Sequence, residues 1–92
     1  MKSIIQSSHE CLICGDTNNL ECHHIFYGTA NRKWSEKFGL TCFLCHYHHT
    51  GNGGIHFDKS MDKKLKKYAQ EKFEEVYGGN ETFMKIFGRN YK

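Results

Sequence analysis

The chain has 92 residues, a formal net charge of +3, 38% hydrophobic residues, five cysteines, seven histidines and no proline. One domain is expected at that length, and its apolar burial alone is marginal, so a structural metal would supply folding free energy that the core lacks. The composition excludes a helical membrane span, since no apolar run approaches the roughly 18 residues needed, and the odd cysteine count with Cys-x-x-Cys spacing favours metal ligation in a reduced, cytoplasmic setting over a disulfide framework.

Residues 1–10 have little periodicity and no apolar leader core, and are expected to form an N-terminal arm. Cys11-Leu12-Ile13-Cys14-Gly15 has the form of a zinc knuckle, with Gly15 placed to take a positive φ after the second thiol. Residues 16–19 read as a turn, and residues 20–27, rich in aromatic residues and carrying His23 and His24, as a strand. The run Gly28-Thr29-Ala30-Asn31 breaks it, and the polar and aromatic mixture of residues 32–38 matches no single period. Residues 40–44 form a short second strand leading into a turn at 45–49 that can open a helix, and Gly51-Asn52-Gly53-Gly54 reads as a flexible loop. From Ser60 on, Met61, Leu65, Tyr68, Ala69, Phe73, Val76 and Tyr77 recur at three- and four-residue steps, which predicts an amphipathic helix. Ser60 is the expected N-cap, with Asp62 in the first turn and Gly78-Gly79 as the stop. A shorter helix over residues 80–87 brings Phe83, Ile86 and Phe87 to close the core.

The chemistry lies in Cys11-x-x-Cys14, His23-His24, Cys42-x-x-Cys45-His46-x-His48-His49 and His56. A knuckle answered by a second Cys/His cluster about thirty residues on provides a closed tetrahedral site. The spacing allows two sets: Cys11 and Cys14 with Cys45 and His48, or Cys11 and Cys14 with Cys42 and Cys45, the latter leaving His46 and His49 to join His23 at a second metal. Adjacent side chains on a strand point to opposite faces, so His23 and His24 divide into one ligand and one free imidazole. An imidazole, with its ordinary pKa near about 6.5, is suited to taking a proton from water. Adjacent residues on a helix lie about 100° apart, so His48 and His49 can serve two different ions. The cations fall in two groups, Arg32, Lys33 and Lys37, and Lys59, Lys63, Lys64, Lys66, Lys67 and Lys72. Each group alone reads as a solvated face; beside a phosphate-handling metal site the balance shifts toward nucleic acid. Cys22 and Trp34 read as packing, and His9 as an exposed residue of the arm.

The order Cys-x-x-Cys, His23-His24-Ile25, Leu44-Cys45-x-x-His48-His49 and Ile55-His56 resembles the HNH nucleases of the ββα-metal, or His-Me finger, family. The tail Phe73-Glu74-Glu75-Val76-Tyr77-Gly78, with Glu81 and Phe83, is similar to the end of phage RecA-dependent recombination-enhancement nucleases. The resemblance spans residues 11–91 and implies an α+β fold: one domain over 1–92, with a zinc-stabilised ββα-metal finger in 11–58 and a C-terminal amphipathic helix and short final helix in 60–88. It implies that Cys11, Cys14, Cys45 and His48 hold a structural Zn²⁺. His23, His49 and His56 would hold a catalytic Mg²⁺, Mn²⁺ or Zn²⁺, and His24 would be the general base of phosphodiester hydrolysis, leaving 5′-phosphate and 3′-hydroxyl ends. Arg32 and Lys33 would contact the DNA or RNA backbone. A recombinase filament or another phage recombination protein would be the partner, in the cytoplasm of a bacterial host. Many family members carry Asn-Leu before the second cysteine element, where this chain has Gly39-Leu40, and Asn31 is the nearest asparagine that could support His24. The competing expectation is a non-catalytic, zinc-dependent nucleic-acid-binding or recombination accessory module, which has no use for the surplus histidines.

Overall fold

Two five-residue strands organise the chain. In the computed structural model, which describes residues 3–92, β1 (Leu20–His24) and β2 (Thr41–Cys45) pair antiparallel. The register sets Glu21 opposite Leu44, His23 opposite Cys42 and His24 opposite Thr41. Glu21 and His23, two residues apart, therefore share one face of the sheet and His24 takes the other. β1 stops at His24, three residues before its expected end. Beyond it the chain turns inward: the Ile25 N–H still donates to the Leu40 carbonyl at 3.0 Å, but Phe26 is held through both of its backbone groups by the buried Ser35 hydroxyl, at 3.0 and 2.7 Å.

Ser35 belongs to α1 (Arg32–Phe38), a helix in the stretch that matched no period. The helix is short, and it ends because Gly39 takes the left-handed conformation at φ 70°, which glycine adopts without a Cβ penalty. The following Leu40 N–H then donates to the Ser35 carbonyl at 2.8 Å, delivering the chain into β2.

The outer edge of β2 is covered by the N-terminal segment, whose described residues are ordered against it rather than standing apart as an arm; Met1 and Lys2 lie outside the described residues. The Ser3 hydroxyl donates to the Thr41 carbonyl at 2.5 Å, the Gln6 side-chain oxygen accepts from the Phe43 N–H at 2.8 Å, and the Leu12 N–H donates to the Phe43 carbonyl at 2.9 Å. These bonds satisfy backbone groups that an exposed edge would leave open. His9 is exposed, as expected, and its ring stacks on that of Phe43 with centroids 4.3 Å apart.

β2 runs directly into α2 (His46–His49), a single turn. The glycine-rich segment after it is tied down: the Thr50 and Gly51 N–H groups donate to the His46 carbonyl, and the Gly54 N–H to that of Gly51. A 3-10 turn at Ile55–Phe57 follows, then α3 (Lys59–Val76) and α4 (Asn80–Phe87). The N-cap of α3 is Asp58 rather than Ser60, its carboxylate accepting from the Met61 N–H at 3.0 Å. The buried face of α3 is Leu65, Ala69, Gln70 and Phe73, while Met61, Tyr68, Val76 and Tyr77 of the expected stripe are exposed. Phe26, Phe73, Phe83 and Phe87 pack ring to ring behind the sheet, joined by Tyr91. Gln70 is buried there because its amide is satisfied: it donates to Asn90 and Glu74 and accepts from the Tyr91 N–H, fastening the C-terminal segment to α3. No helix among the described residues is long and apolar enough to cross a membrane.

Candidate metal centres and the adjoining cleft

Cys11 and Cys14 lie on the knuckle, where Gly15 at φ 79° lets its N–H return to the Cys11 carbonyl at 2.8 Å. Cys45 ends β2, and His48 follows three residues later on α2. The sulfurs of Cys14 and Cys45 are 3.8 Å apart, and His48 Nδ1 lies 3.3 Å from Cys45 Sγ and 3.9 Å from Cys11 Sγ. A tetrahedron with metal–sulfur bonds of about 2.3 Å has edges of about 3.8 Å, so the spacing of the four atoms, all within 4.8 Å of one another, is compatible with a bound zinc ion. Sulfurs at 3.8 Å are too far apart for a disulfide, and all five cysteines are free thiols. Burial pushes the Cys11 thiol up, but backbone N–H groups of Cys45, Cys14 and Ile13 outweigh it and bring its pKa down to about 6. This donor set fits Zn²⁺. Cys42 is not part of it: opposite His23 and buried, its thiol is pushed up to about 12 by burial, then by Cys22 and Cys11, so the four-cysteine arrangement is not assembled.

A second cluster joins three elements. His23 from β1, His49 from α2 and His56 from the 3-10 turn form a near-equilateral triangle, with ring centroids 5.2, 5.2 and 5.1 Å apart and ligand atoms within 4.8 Å of one another. His23 is 1% exposed, and its Nε2 is buried without a hydrogen-bond partner. Burial, then the neighbouring His49 and His56, push its pKa down to about 3, so it is a neutral imidazole with a nitrogen that no protein group satisfies. Such an orphan costs on the order of 1–3 kcal/mol unless something ligates it, and the three nitrogens suit a divalent cation. His49 Nδ1 donates to Glu21 at 2.7 Å, and the other oxygen of that carboxylate accepts from His46 Nδ1 at 3.0 Å. The bond from His46, then that from His49, holds the Glu21 carboxyl below its ordinary range. The Tyr27 ring stands 5.1 Å from that of His56, and the Tyr27 hydroxyl donates to Asp62, which is also paired with Lys66 at 3.0 Å.

A cleft of about 620 Å³ opens over these histidines, bordered by His23, His24, Tyr27, Arg32, His49 and His56. His23 and His24 both border it, although they alternate along β1. His24 Nε2 lies 2.7 Å from Glu36 Oε2 on α1, and that bond holds the Glu36 carboxyl below its ordinary range. With Nε2 protonated toward the carboxylate, His24 Nδ1 remains as the basic nitrogen. The group bonded to the His24 ring is Glu36; Asn31, the asparagine expected to support His24, is the N-cap residue of α1 and makes no side-chain capping bond. Arg32 borders the cleft, whereas Lys33 is exposed on α1 with its ammonium 4.9 Å from the Trp34 ring centre. Sequence reasoning missed Glu21 and Glu36. The signal for Glu21 was its place two residues before His23 on the same strand face; Glu36 had none while residues 32–38 stayed unassigned.

No family model matches the chain, and no solved structure matches it. Among curated proteins, 47 residues align at 38% identity with the probable E3 ubiquitin-protein ligase XERICO of Arabidopsis thaliana, covering 44% of this chain and 29% of that protein. The chain thus spans less than a third of that relative's length.

Proposed function

We propose that the chain is a metal-dependent HNH-type endonuclease that hydrolyses phosphodiester bonds of nucleic acid, DNA in the first instance. Its working unit would be a ββα-metal finger made of β1, the connection carrying α1, β2 and α2. The observation that carries this reading is that the three-histidine cluster, with its unpartnered His23 nitrogen, borders the same cleft as the carboxylate-held His24. A zinc-stapled binding module has no use for either feature.

In this reading Cys11, Cys14, Cys45 and His48 hold Zn²⁺ and fix the knuckle to the end of β2. His23, His49 and His56 would hold a divalent cation, which would supply Lewis-acid stabilisation of charge on the phosphate and the leaving oxygen; an all-imidazole set favours Zn²⁺ over Mg²⁺. His24 Nδ1 accepts the proton of the attacking water, and Glu36 steadies the imidazolium that results. Arg32 on the rim takes the phosphate backbone, with Lys33 on the neighbouring exposed surface. The setting we propose is phage or prophage DNA recombination in a bacterial cytoplasm, with a recombinase filament or another recombination protein as partner.

A second reading, a non-catalytic zinc-dependent nucleic-acid-binding or recombination accessory module, would need the four-ligand site alone. Incubating the zinc-loaded protein with supercoiled and single-stranded DNA and added Mg²⁺, Mn²⁺ or Zn²⁺ separates the two. The nuclease reading predicts cutting that His24→Ala abolishes with zinc content intact; absence of cutting by the folded protein with every ion would favour the module.

A further inference from the structure

We propose that Glu21 is the positioning residue of the three-histidine site, presenting the Nε2 lone pair of His49 to the cation by holding the ring through Nδ1. The three ligands are placed by different means. His23 is set by burial within the sheet, and His56 by the tied segment ahead of the 3-10 turn. His49 sits at the end of a four-residue helix, too short to fix its own last side chain, and its ring is held from outside by Glu21 Oε1 at 2.7 Å.

The strand geometry makes this possible. Glu21 and His23 project from the same face of β1, so the carboxylate stands beside a ligand of the site and faces the same helix. On α2, His46 and His49 are three residues apart and share a side, so one carboxylate reaches both. The two contacts are not equivalent. His49 has a side chain 16% exposed, whereas that of His46 is 67% exposed and its Nδ1 also lies 3.3 Å from the Thr50 hydroxyl. Glu21 Oε1 therefore holds an enclosed ring, and Oε2 an open one.

A carboxylate that accepts from Nδ1–H fixes the imidazole in the tautomer with its lone pair on Nε2, and makes that nitrogen a better donor to a metal. The inference rests on the three-histidine cluster being a cation site, and not on cleavage. It is tested with protein whose four-ligand site is filled with Zn²⁺. Long-range ¹⁵N–¹H spectra before further metal is added read the His49 tautomer, and titration with Co²⁺ reads the affinity of the second site.

The expected result is Nδ1-protonated His49 in the wild type, with one further Co²⁺ bound. In Glu21→Gln, Co²⁺ affinity should fall about 10- to 100-fold and His49 should become a mixture of tautomers. His46→Gln, which removes only the open contact, should leave both readouts at wild-type values. Nε2-protonated His49 in the wild type overturns the proposal whatever the variants do, as does Glu21→Gln binding Co²⁺ as tightly as wild type. Wild-type protein that takes up no Co²⁺ beyond its zinc overturns the cation site itself, which separates that failure from a failure of Glu21.

Discussion

His23 and His24 are one peptide bond apart and have opposite chemistry because the pleat turns them to different surroundings. His23 is enclosed and neutral, with a nitrogen that no protein group satisfies; His24 is tied to a carboxylate on α1. This division was legible from the alternation of a strand, without knowledge of the partners. The proposed role of His24 predicts that His24→Ala abolishes detectable cleavage, a loss of at least about 10²- to 10⁴-fold, and that Glu36→Gln lowers the rate less while metal content is unchanged. Steady-state cleavage beside metal analysis checks both. His23 also makes stability depend on pH. Its pKa falls from 6.5 to about 3 on folding, so between those values the unfolded chain binds a proton that the folded chain does not. Stability therefore declines as pH drops below about 6.5, by up to about 1.4 kcal/mol per pH unit for one proton. Urea melts from pH 7.5 to 5, with zinc bound and the three-histidine site metal-free, should show a shallower decline for His23→Gln than for wild type; equal slopes would contradict the assigned burial.

At the scale of elements, α3 and α4 were legible because a long apolar period over residues 61–77 and a shorter one to Phe87 survive any uncertainty at their ends. The α3 cap was placed two residues late, since Asp58 and Ser60 are both capping types and only the bond to the Met61 N–H decides between them. α1 was not legible: its seven residues combine a surface-facing Glu36, an inward Ser35 and half-buried aromatics, and its stability comes from the contacts of Ser35 and the left-handed Gly39. Gly39→Ala should therefore cost on the order of 1 kcal/mol or more, read by thermal or urea unfolding. The segment between α2 and the 3-10 turn is constrained by sterics of another kind. A Cβ on Gly54 would stand 2.6 Å from the His49 carbonyl and 2.8 Å from that of Gly51, both backbone atoms that cannot swing aside. Gly54→Ala should displace His56 and weaken ion binding at the three histidines while the four-ligand site keeps its zinc; the ratio of the two occupancies is the readout. Unchanged occupancy of both would show that this packing does not position His56.

For the whole molecule, the sheet and knuckle at one end and the aromatic cluster at the other meet through Phe26, and the four-ligand site pins the first to itself. The ligand count was legible in the sequence; spacing alone allowed both Cys42 and His48, but the resemblance implied the set with Cys45 and His48, which is the one the structure assembles, with Cys42 set opposite His23 instead. Chelating the zinc, or replacing Cys11 by Ala, should unfold the chain. The radius of gyration of 12.7 Å would then rise toward the roughly 30 Å of an unfolded chain of this length in small-angle scattering. A chain that keeps its compact radius without metal would show that the core suffices. The central claim, that a structural ion and a reactive ion sit side by side in so small a protein, is tested most directly by measuring DNA cleavage against equivalents of divalent metal added to the metal-free chain. The account predicts that the first equivalent restores the fold without cutting, and that cutting appears only as a second equivalent binds and is missing in His24→Ala. Cutting that is complete at one equivalent, or that persists in His24→Ala, would contradict it.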